Sequence, residues 1–514
     1  MPDLFRPDAA SASVRHFTHP TTTIPFRARR GVTTLLLAAS LAGCAVGPDY
    51  ARPAMDLPQA YKEAGPWKVA TPGQIDPGQR WWQAYGDAQL DALVERANAA
   101  NQTIAQAEAQ YRQASAAAQL ARASLWPTVG ANLGASRAQT NANGVQRLND
   151  TYNAGLNASW EADIWGRIRR STEAGDASAE ASAASLAAAR LSIQATLAQN
   201  YLQLRVTDLQ RDLYRRTVDA YTRSLQLSSR QYDAGTALRS DVAQAETQLR
   251  SAQAQLIDLD ATRNQLEHAI AILTGQAPAM FSLAPWPAAA GQSEQQAMDA
   301  NAAQLQASLP QIPTGLPSQL LERRPDIAAA ERQAAAANAN IGVARAAYFP
   351  TLTLSASGGY GSVALAQLFD TPSRVWSLGS ALAATLFDGG ARAARNAQAV
   401  AAFDAAVAQY KQTVLGGMQE VEDNLSTLRV LDQESAVQAQ AVQAAQLAQR
   451  LALSQYQAGT VTYLSVVTTQ ATALTNQRTA VTLLGRQLLA SVALIKATGG
   501  AWHVPAAPAP APVR

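Results

Sequence analysis

The sequence is poor in the residues that mark most disulfide-held, metal-binding and catalytic proteins. Cys44 is the one cysteine in 514 residues, so the chain holds no internal disulfide. The four histidines (His16, His19, His268 and His503) share no motif with a cysteine or a carboxylate, which argues against a metal centre. No GxSxG, HExxH, P-loop or dinucleotide fingerprint falls at a strand–helix junction, so an enzyme is the weakest reading and no cofactor is expected. Aromatics make up only 6%, which is thin for one large globular core. Hydrophobic residues reach 48% while the mean hydropathy is −0.12, because alanine is counted as apolar and adds little hydrophobicity. Ala and Gln fill the middle stretches, as in extended helices in close contact, and an elongated shape follows. Proline is absent between Gly166 and Pro278 and again between Pro372 and Pro505.

Net charge of one sign is also missing once position is considered. The formal charge is +3. Residues 1–43 carry Arg6, Arg15, Arg27, Arg29 and Arg30 against Asp3 and Asp8, which accounts for all of it, and the chain from Cys44 onward is neutral. A neutral chain does not suit nucleic acid, whose phosphates need clustered basic charge.

Cys44 sits in a specific setting. Arg27-Ala28-Arg29-Arg30 precedes the apolar run VTTLLLAASLA, the n-region and h-region of a secretory signal, and the run is too short for a stable bilayer-spanning helix. Residues 1–43 are therefore expected to be a signal peptide, with a translation start downstream of Met1, because the stretch ahead of the basic run is longer than a leader needs. Leu41-Ala42-Gly43-Cys44 resembles a bacterial lipobox, which would make Cys44 the lipidated first residue, carrying diacylglyceryl and an N-acyl chain such as palmitate. Ala45 follows it, and in the lipoprotein sorting pattern a residue other than Asp there implies the outer membrane. The alternative is a plain signal with an incidental cysteine.

What the chain does have is a long internal repeat. ARASLWPTV from Ala121 returns as ARAAYFPTL from Ala344, QYDAGT from Gln231 as QYQAGT from Gln455, and LTG at Leu273 as ATG at Ala497, all at an offset of 223 or 224 residues. Such a period is far beyond those of solenoids and implies duplication of a whole unit. The organisation read from it is a Pro-rich extended segment without a core (44–80), a first repeat (81–277), a Pro-rich linker (278–317), a second repeat (318–500) and a Pro/Ala tail (501–514) expected to be disordered. Each repeat is expected to hold a helix, two strands and a long helical hairpin. In the first, a helix capped by Asp87 runs to about Ser124. Alternation of apolar and polar residues predicts strands over 128–136 and 152–161, joined by a polar loop at 137–151. Heptad spacing (Val218, Leu225, Tyr232) predicts a helix on the order of 100 Å long from Gly166 to Tyr232. It breaks at Gly235, and a return helix capped by Ser240 runs to about Leu273. The second repeat predicts a helix over 318–347, strands over 351–360 and 375–387, a helix capped by Asp388, a break at Gly459 and a return helix over 461–496.

The four strands have the length of membrane β-strands, and Trp126, Tyr152, Trp160, Tyr360 and Trp376 lie near their ends, as interfacial aromatics do. A small soluble sheet would show the same alternation. If the strands do span a membrane, four cannot close a barrel, and open edges are not tolerated in lipid. The chain must then oligomerise. Two copies would give a narrow, plugged barrel and three would give twelve strands with room for a lumen. The hairpins carry many Gln, Arg and Asp and must project into water.

Seven stretches carry a resemblance: CAVGPDYARP from Cys44, WWQAYGDAQLDALVERA from Trp81, LPSQLLERRPDIAAAER from Leu316, IGVARAAYFPTL from Ile341, LFDGGAR from Leu386, QYQAGT from Gln455 and ATGGAW from Ala497. Over Cys44 to Trp502 the chain resembles the outer-membrane efflux proteins of the TolC superfamily, of the OprM/NodT lipoprotein type. The resemblance implies a mostly α fold with a membrane β-barrel portion, as a homotrimer in which each chain gives four strands to a twelve-stranded barrel and its helices to a periplasmic α-helical barrel. It also implies a periplasmic adaptor and an inner-membrane pump of RND type as partners, drugs or other small molecules as cargo, and an outer-membrane lipid-anchored location. A type I protein-secretion duct and a poreless periplasmic coiled-coil scaffold are the alternatives. The family closes its periplasmic end with tyrosine and aspartate rings beside the Gly-Thr breaks. By motif match Tyr232 and Tyr456 take the tyrosine positions and Asp241 a first-copy acid. The second copy departs, with Ser465 and Thr468 where relatives carry aspartates, so an acidic selectivity ring is not expected there. Helix-dipole stabilisation for Asp241 and hairpin packing for the tyrosines are the plainer roles.

Overall fold

The computed structural model describes residues 45–63, 80–142, 145–286, 294–310 and 323–500. Cys44, the leader and the tail after Gly500 lie outside the described residues. A 3-10 turn at Trp81–Tyr85 leads into α1 (Ala88–Ala100) and α2 (Gln102–Ala123), then β1 (Thr128–Ala142) and β2 (Val145–Ala162). α3 (Arg167–Asp233) and α4 (Arg239–Leu273) form the first hairpin. α5 (Glu294–Ala307) and α6 (Pro325–Ala346) precede β3 (Thr351–Ser362) and β4 (Arg374–Ala383). α7 (Ala391–Gln457) and α8 (Tyr463–Ala497) form the second hairpin.

The duplication is visible in the backbone. α3 and α7 each have 67 residues, and α4 and α8 each have 35. Gly166 and Gly390, Gly235 and Gly459, and Gly275 and Gly499 are pairs 224 residues apart, and all six have positive φ. Gly235 and Gly459 end the long helices in the same way. The Thr236 N–H donates to Gln231 O at 2.8 Å, and the Thr460 N–H to Gln455 O at 3.0 Å. A left-handed residue is needed for that closure, and glycine adopts it without a Cβ penalty. A helix of 67 residues is on the order of 100 Å long.

Several local expectations are corrected. The helix from Asp87 is broken at Asn101, whose Oδ1 accepts from Thr103 N–H (2.9 Å) and Ile104 N–H (3.1 Å) and starts α2 afresh. Its Nδ2 donates to Leu273 O at 2.9 Å, so the break is set by the end of α4. Asp87 does cap α1, accepting from Gln89 N–H at 2.8 Å. Ser240 does not cap α4. The helix starts two residues earlier, at Arg239, with Leu238 at the cap position in extended backbone. Gly390 holds the cap position of α7, while Asp388 accepts from Gly390 N–H and Arg392 N–H, both at 3.1 Å. α6 begins at Pro325, whose missing N–H costs nothing in a first turn. Residues 137–142 and 145–151 are strand, not loop. β4 ends at Ala383, and Leu386 and Phe387 leave the sheet and are exposed.

The core lies across the middle of the two hairpins, where Leu90, Val94, Leu197, Tyr201, Leu204, Val421, Leu425, Leu488 and Leu494 pack together. Farther along, Val218 and Leu225 of the heptad series pack against Tyr214, Tyr221 and Leu249, and Tyr232 at the tip does not join them. Alanine sets the spacing where α3 meets α6, with Ala177, Ala335 and Ala336 buried in one cluster.

The described part of the N-terminal segment, expected to be coreless, joins this body, and so does the described part of the Pro-rich linker. Tyr61 is buried, the Lys62 and Glu63 N–H groups donate to the Glu422 carboxylate at 2.7 and 2.9 Å, and Arg429 pairs with Glu63 at 2.7 Å. The linker forms the unexpected α5, whose Leu305 is buried in the core. Residues 281–286 are fixed by a buried charge knot. Arg263 reaches Asp208 (2.8 Å), Glu267 (2.7 Å) and Leu283 O (2.5 Å), and Arg205, 1% exposed, reaches Asp208 (3.2 Å) and Ala284 O (3.1 Å). Arg205 and Arg429 are repeat equivalents, 224 apart, and each holds an extended segment against its own hairpin.

Candidate channel wall and helical tip

The four strands form one antiparallel sheet in the order β1-β2-β3-β4. The start of β1, the end of β2, the start of β3 and the end of β4 lead to helices at the same side, so Ala142, Val145 and the 363–373 stretch lie at the opposite side. The register sorts side chains by pleat. On one face run Val129, Ala158, Ala356 and Leu378 in one row, Ala131, Leu156, Gly358 and Trp376 in the next, and Leu133, Ala154, Tyr360 and Arg374 in a third. This apolar face is open: Leu133 is 82% exposed and Trp376 77%. On the other face run Gly130, Asn157, Ser357 and Ser377, then Asn132, Gly155, Gly359 and Val375. Beyond these rows β1 and β2 continue on polar pairs, with Arg137 and Asp150 bridged at 2.9 Å and Gln139 donating to Gln146 at 2.8 Å. Those cross-strand bonds turn the expected loop into strand.

Aromatics mark both borders of the apolar band. At the helical side the Trp160 indole donates to Leu125 O at 3.0 Å, with Trp126 exposed beside it. At the far side Tyr360 meets Phe369 edge-on at 5.4 Å, in the row between those of Trp376 and Tyr152. Trp160 and Tyr152 are eight residues apart on β2, about 27 Å at the rise of a strand, close to the apolar band of roughly 25 Å on membrane barrels. β1 and β4 are edge strands, and their outward backbone groups have no partner strand among the described residues.

The hairpin tips bring together part of the expected set. The Tyr456 hydroxyl donates to Gln231 Oε1 at 2.5 Å, joining the two hairpins. Its ring meets Tyr463 at 5.4 Å, and Tyr463 is 3% exposed against Ala245, Val466 and Val467. Burial pushes the Tyr456 pKa up, and the Asp241 charge adds in the same direction. Tyr232 is 41% exposed and stands outside this contact. Asp241 is the third residue of α4, two residues past the first position, and its carboxylate accepts from Leu238 N–H at 3.4 Å. Ser465 is half-buried, and Thr468 returns its hydroxyl to Leu464 O at 3.0 Å. Sequence reasoning missed Gln231 and Tyr463. Gln231 opens the QYDAGT motif and was available as a signal, whereas Tyr463 has Arg239 as its repeat equivalent and the echo does not point to it.

A sheet with a lipid-sized apolar face, a polar face behind it and long helices on one side defines an outer-membrane channel subunit. The family described as "Outer membrane efflux protein" matches residues 93–276 and 316–500, and the chain belongs to it. The two matched stretches follow the two repeats. The pyoverdine export outer membrane protein OpmQ of Pseudomonas aeruginosa is 35% identical over 448 residues, covering 85% of this chain and 91% of that protein. Outer membrane protein OprJ of the same organism is 30% identical over 477 residues, covering 92% and 96%. The solved outer-membrane channel OprN superposes with a TM-score of 0.80 at 29% identity, covering 89% of this chain and 99% of that one. The protein is an outer-membrane efflux channel, in a family of ducts and not of enzymes.

Proposed function

We propose that three copies of this chain close a twelve-stranded barrel in the outer membrane and carry their helices into the periplasm as a hollow extension. The observation that carries this reading is the open four-stranded sheet with a lipid-sized apolar face and two free edges. Open edges in lipid leave backbone groups unsatisfied, and only closure with further copies removes them. The same face disfavours a poreless scaffold, which would need no lipid contact. The helical end would receive a periplasmic adaptor and an inner-membrane pump of RND type, and the cargo would be small molecules. OpmQ, named for pyoverdine export, and the toluene efflux protein TtgF of Pseudomonas putida, 28% identical, favour small molecules over a type I protein-secretion role. Cys44 would carry the lipid anchor two residues ahead of Val46, whose N–H donates to Trp165 O. Tyr232, Asp241, Tyr456, Ser465 and Thr468 would stand at the periplasmic gate, with Tyr456 the member that joins the hairpins. The test is retention of a fluorescent efflux dye in the native host. Deleting the gene should raise retained dye, and the intact gene should restore export. Restoration by a chain lacking β3 and β4 would overturn the reading.

A further inference from the structure

The polar face of the sheet has a pattern of its own. Glycine on one strand stands directly across from asparagine or serine on the next: Gly130 from Asn157, Gly155 from Asn132, Gly134 from Asn153, and Gly379 from Ser355. In each pair the polar side chain lies over the glycine. A β-carbon built on the glycine would come within 3.1 Å of Asn157 Oδ1, 3.4 Å of Asn132 Oδ1, 2.8 Å of Asn153 Oδ1 and 2.9 Å of Ser355 Oγ, respectively. The polar groups also bond sideways along the wall. Asn132 Nδ2 donates to Asn153 Oδ1 at 3.3 Å, and the Ser357 and Ser377 hydroxyls are 2.9 Å apart. Between Glu161, which is paired with Arg167 at 2.8 Å, and Arg147 near the start of β2, this face carries no charged residue.

Two physical consequences follow. Side chains laid flat over glycines add little height, so backbone sets the bore over this stretch. Selective pores discriminate between ions through rings of fixed charge, and this wall offers only neutral dipoles that can turn toward either sign.

We infer that the Gly–Asn and Gly–Ser pairs make the membrane-spanning part of the passage a smooth, uncharged bore that admits bulky hydrogen-bonding solutes whether cationic or anionic. The inference rests on the duct reading, in which this face lines the lumen. Discrimination by charge then falls to the pump or to the helical tip, and Asn132, Asn153, Asn157, Ser355 and Ser357 are the residues that keep the barrel indifferent to it.

Because Cys44 is the chain's one cysteine, a single introduced thiol reports its own surroundings. Ser357→Cys would be exposed in intact cells to a cationic and an anionic methanethiosulfonate of similar size, each rate being divided by that reagent's rate with a free thiol in solution. The parent chain supplies the background. The expected result is modification by both reagents at corrected rates within about threefold, since screened dipoles leave little net potential. Adding Asn153→Asp should tilt the ratio toward the cation. A ratio beyond roughly tenfold without that change would overturn the uncharged bore and leave the duct intact. No modification of Ser357→Cys, with ready modification of Leu378→Cys on the opposite face, would overturn the duct reading itself.

Discussion

Tyr456 at the end of α7 donates its hydroxyl hydrogen to Gln231 at the end of α3, 2.5 Å away, so one hydrogen bond ties the tip of the second hairpin to the tip of the first. The repeat makes the contact asymmetric. Gln231 precedes Tyr232, the repeat partner of Tyr456, and Tyr232 itself points to solvent.

Tyr456→Phe keeps the ring on Tyr463 and removes only this bond. A hydrogen bond of this kind contributes about 0.5–1.5 kcal/mol, so the open probability of single channels in planar bilayers should rise roughly two- to tenfold. Unchanged gating would assign Tyr456 to packing alone. The bond needs the protonated hydroxyl. Burial holds its pKa above the ordinary value of about 10, so the contact is at full strength below that and weakens only as pH rises through the elevated pKa. Gating by this contact should therefore be flat between roughly pH 6 and 9.

Asp241 is placed to serve the start of α4, where a carboxylate contributes about 0.3–1 kcal/mol through the helix dipole. Asp241→Asn should alter open probability by no more than about fivefold. A larger rise would show that the carboxylate holds the closed tip.

Asp208 accepts from Arg205 and Arg263 and lies 3.6 Å from Arg211. Asp208→Ala strands these guanidiniums beside the core, and removing one partner of a buried ion pair costs about 3–5 kcal/mol. Thermal unfolding followed by circular dichroism should show a clearly lowered midpoint, and protease should cut near Leu283, which Arg263 holds through its carbonyl. An unmoved midpoint would mean that the knot is not what fixes the 281–286 segment.

The sequence made the long hairpins legible because their determinants are local: no proline inside α3 or α7, and a glycine at 235 and 459 where φ turns positive. Strand positions inside the apolar band were legible for the same reason, since alternation is local. The rest depends on partners far away in the chain. Asn101 breaks α1 from α2 because Leu273 O lies within reach of its amide, and Arg137 extends β1 because Asp150 sits opposite. α5 and Tyr61 are ordered by a core assembled from both hairpins. At the tip, Gln231 and Tyr463 gain meaning only once Tyr456 is placed between them. The glycine–asparagine pairs on the polar face became visible only through the strand register.

Free edges on β1 and β4 make a statement about copy number. Chemical cross-linking of the purified protein in detergent should give a ladder that stops at three chains, since four strands per chain then reach twelve. A ladder that stops at two, or continues past three, would contradict the closure.

The central claim is that the chain forms a water-filled passage across a membrane, and conductance in planar lipid bilayers tests it most directly. Purified full-length protein should give discrete current steps, and Tyr456→Ala should increase the time spent open. Membranes that stay electrically silent with both proteins, while the protein is shown to have inserted, would contradict the account.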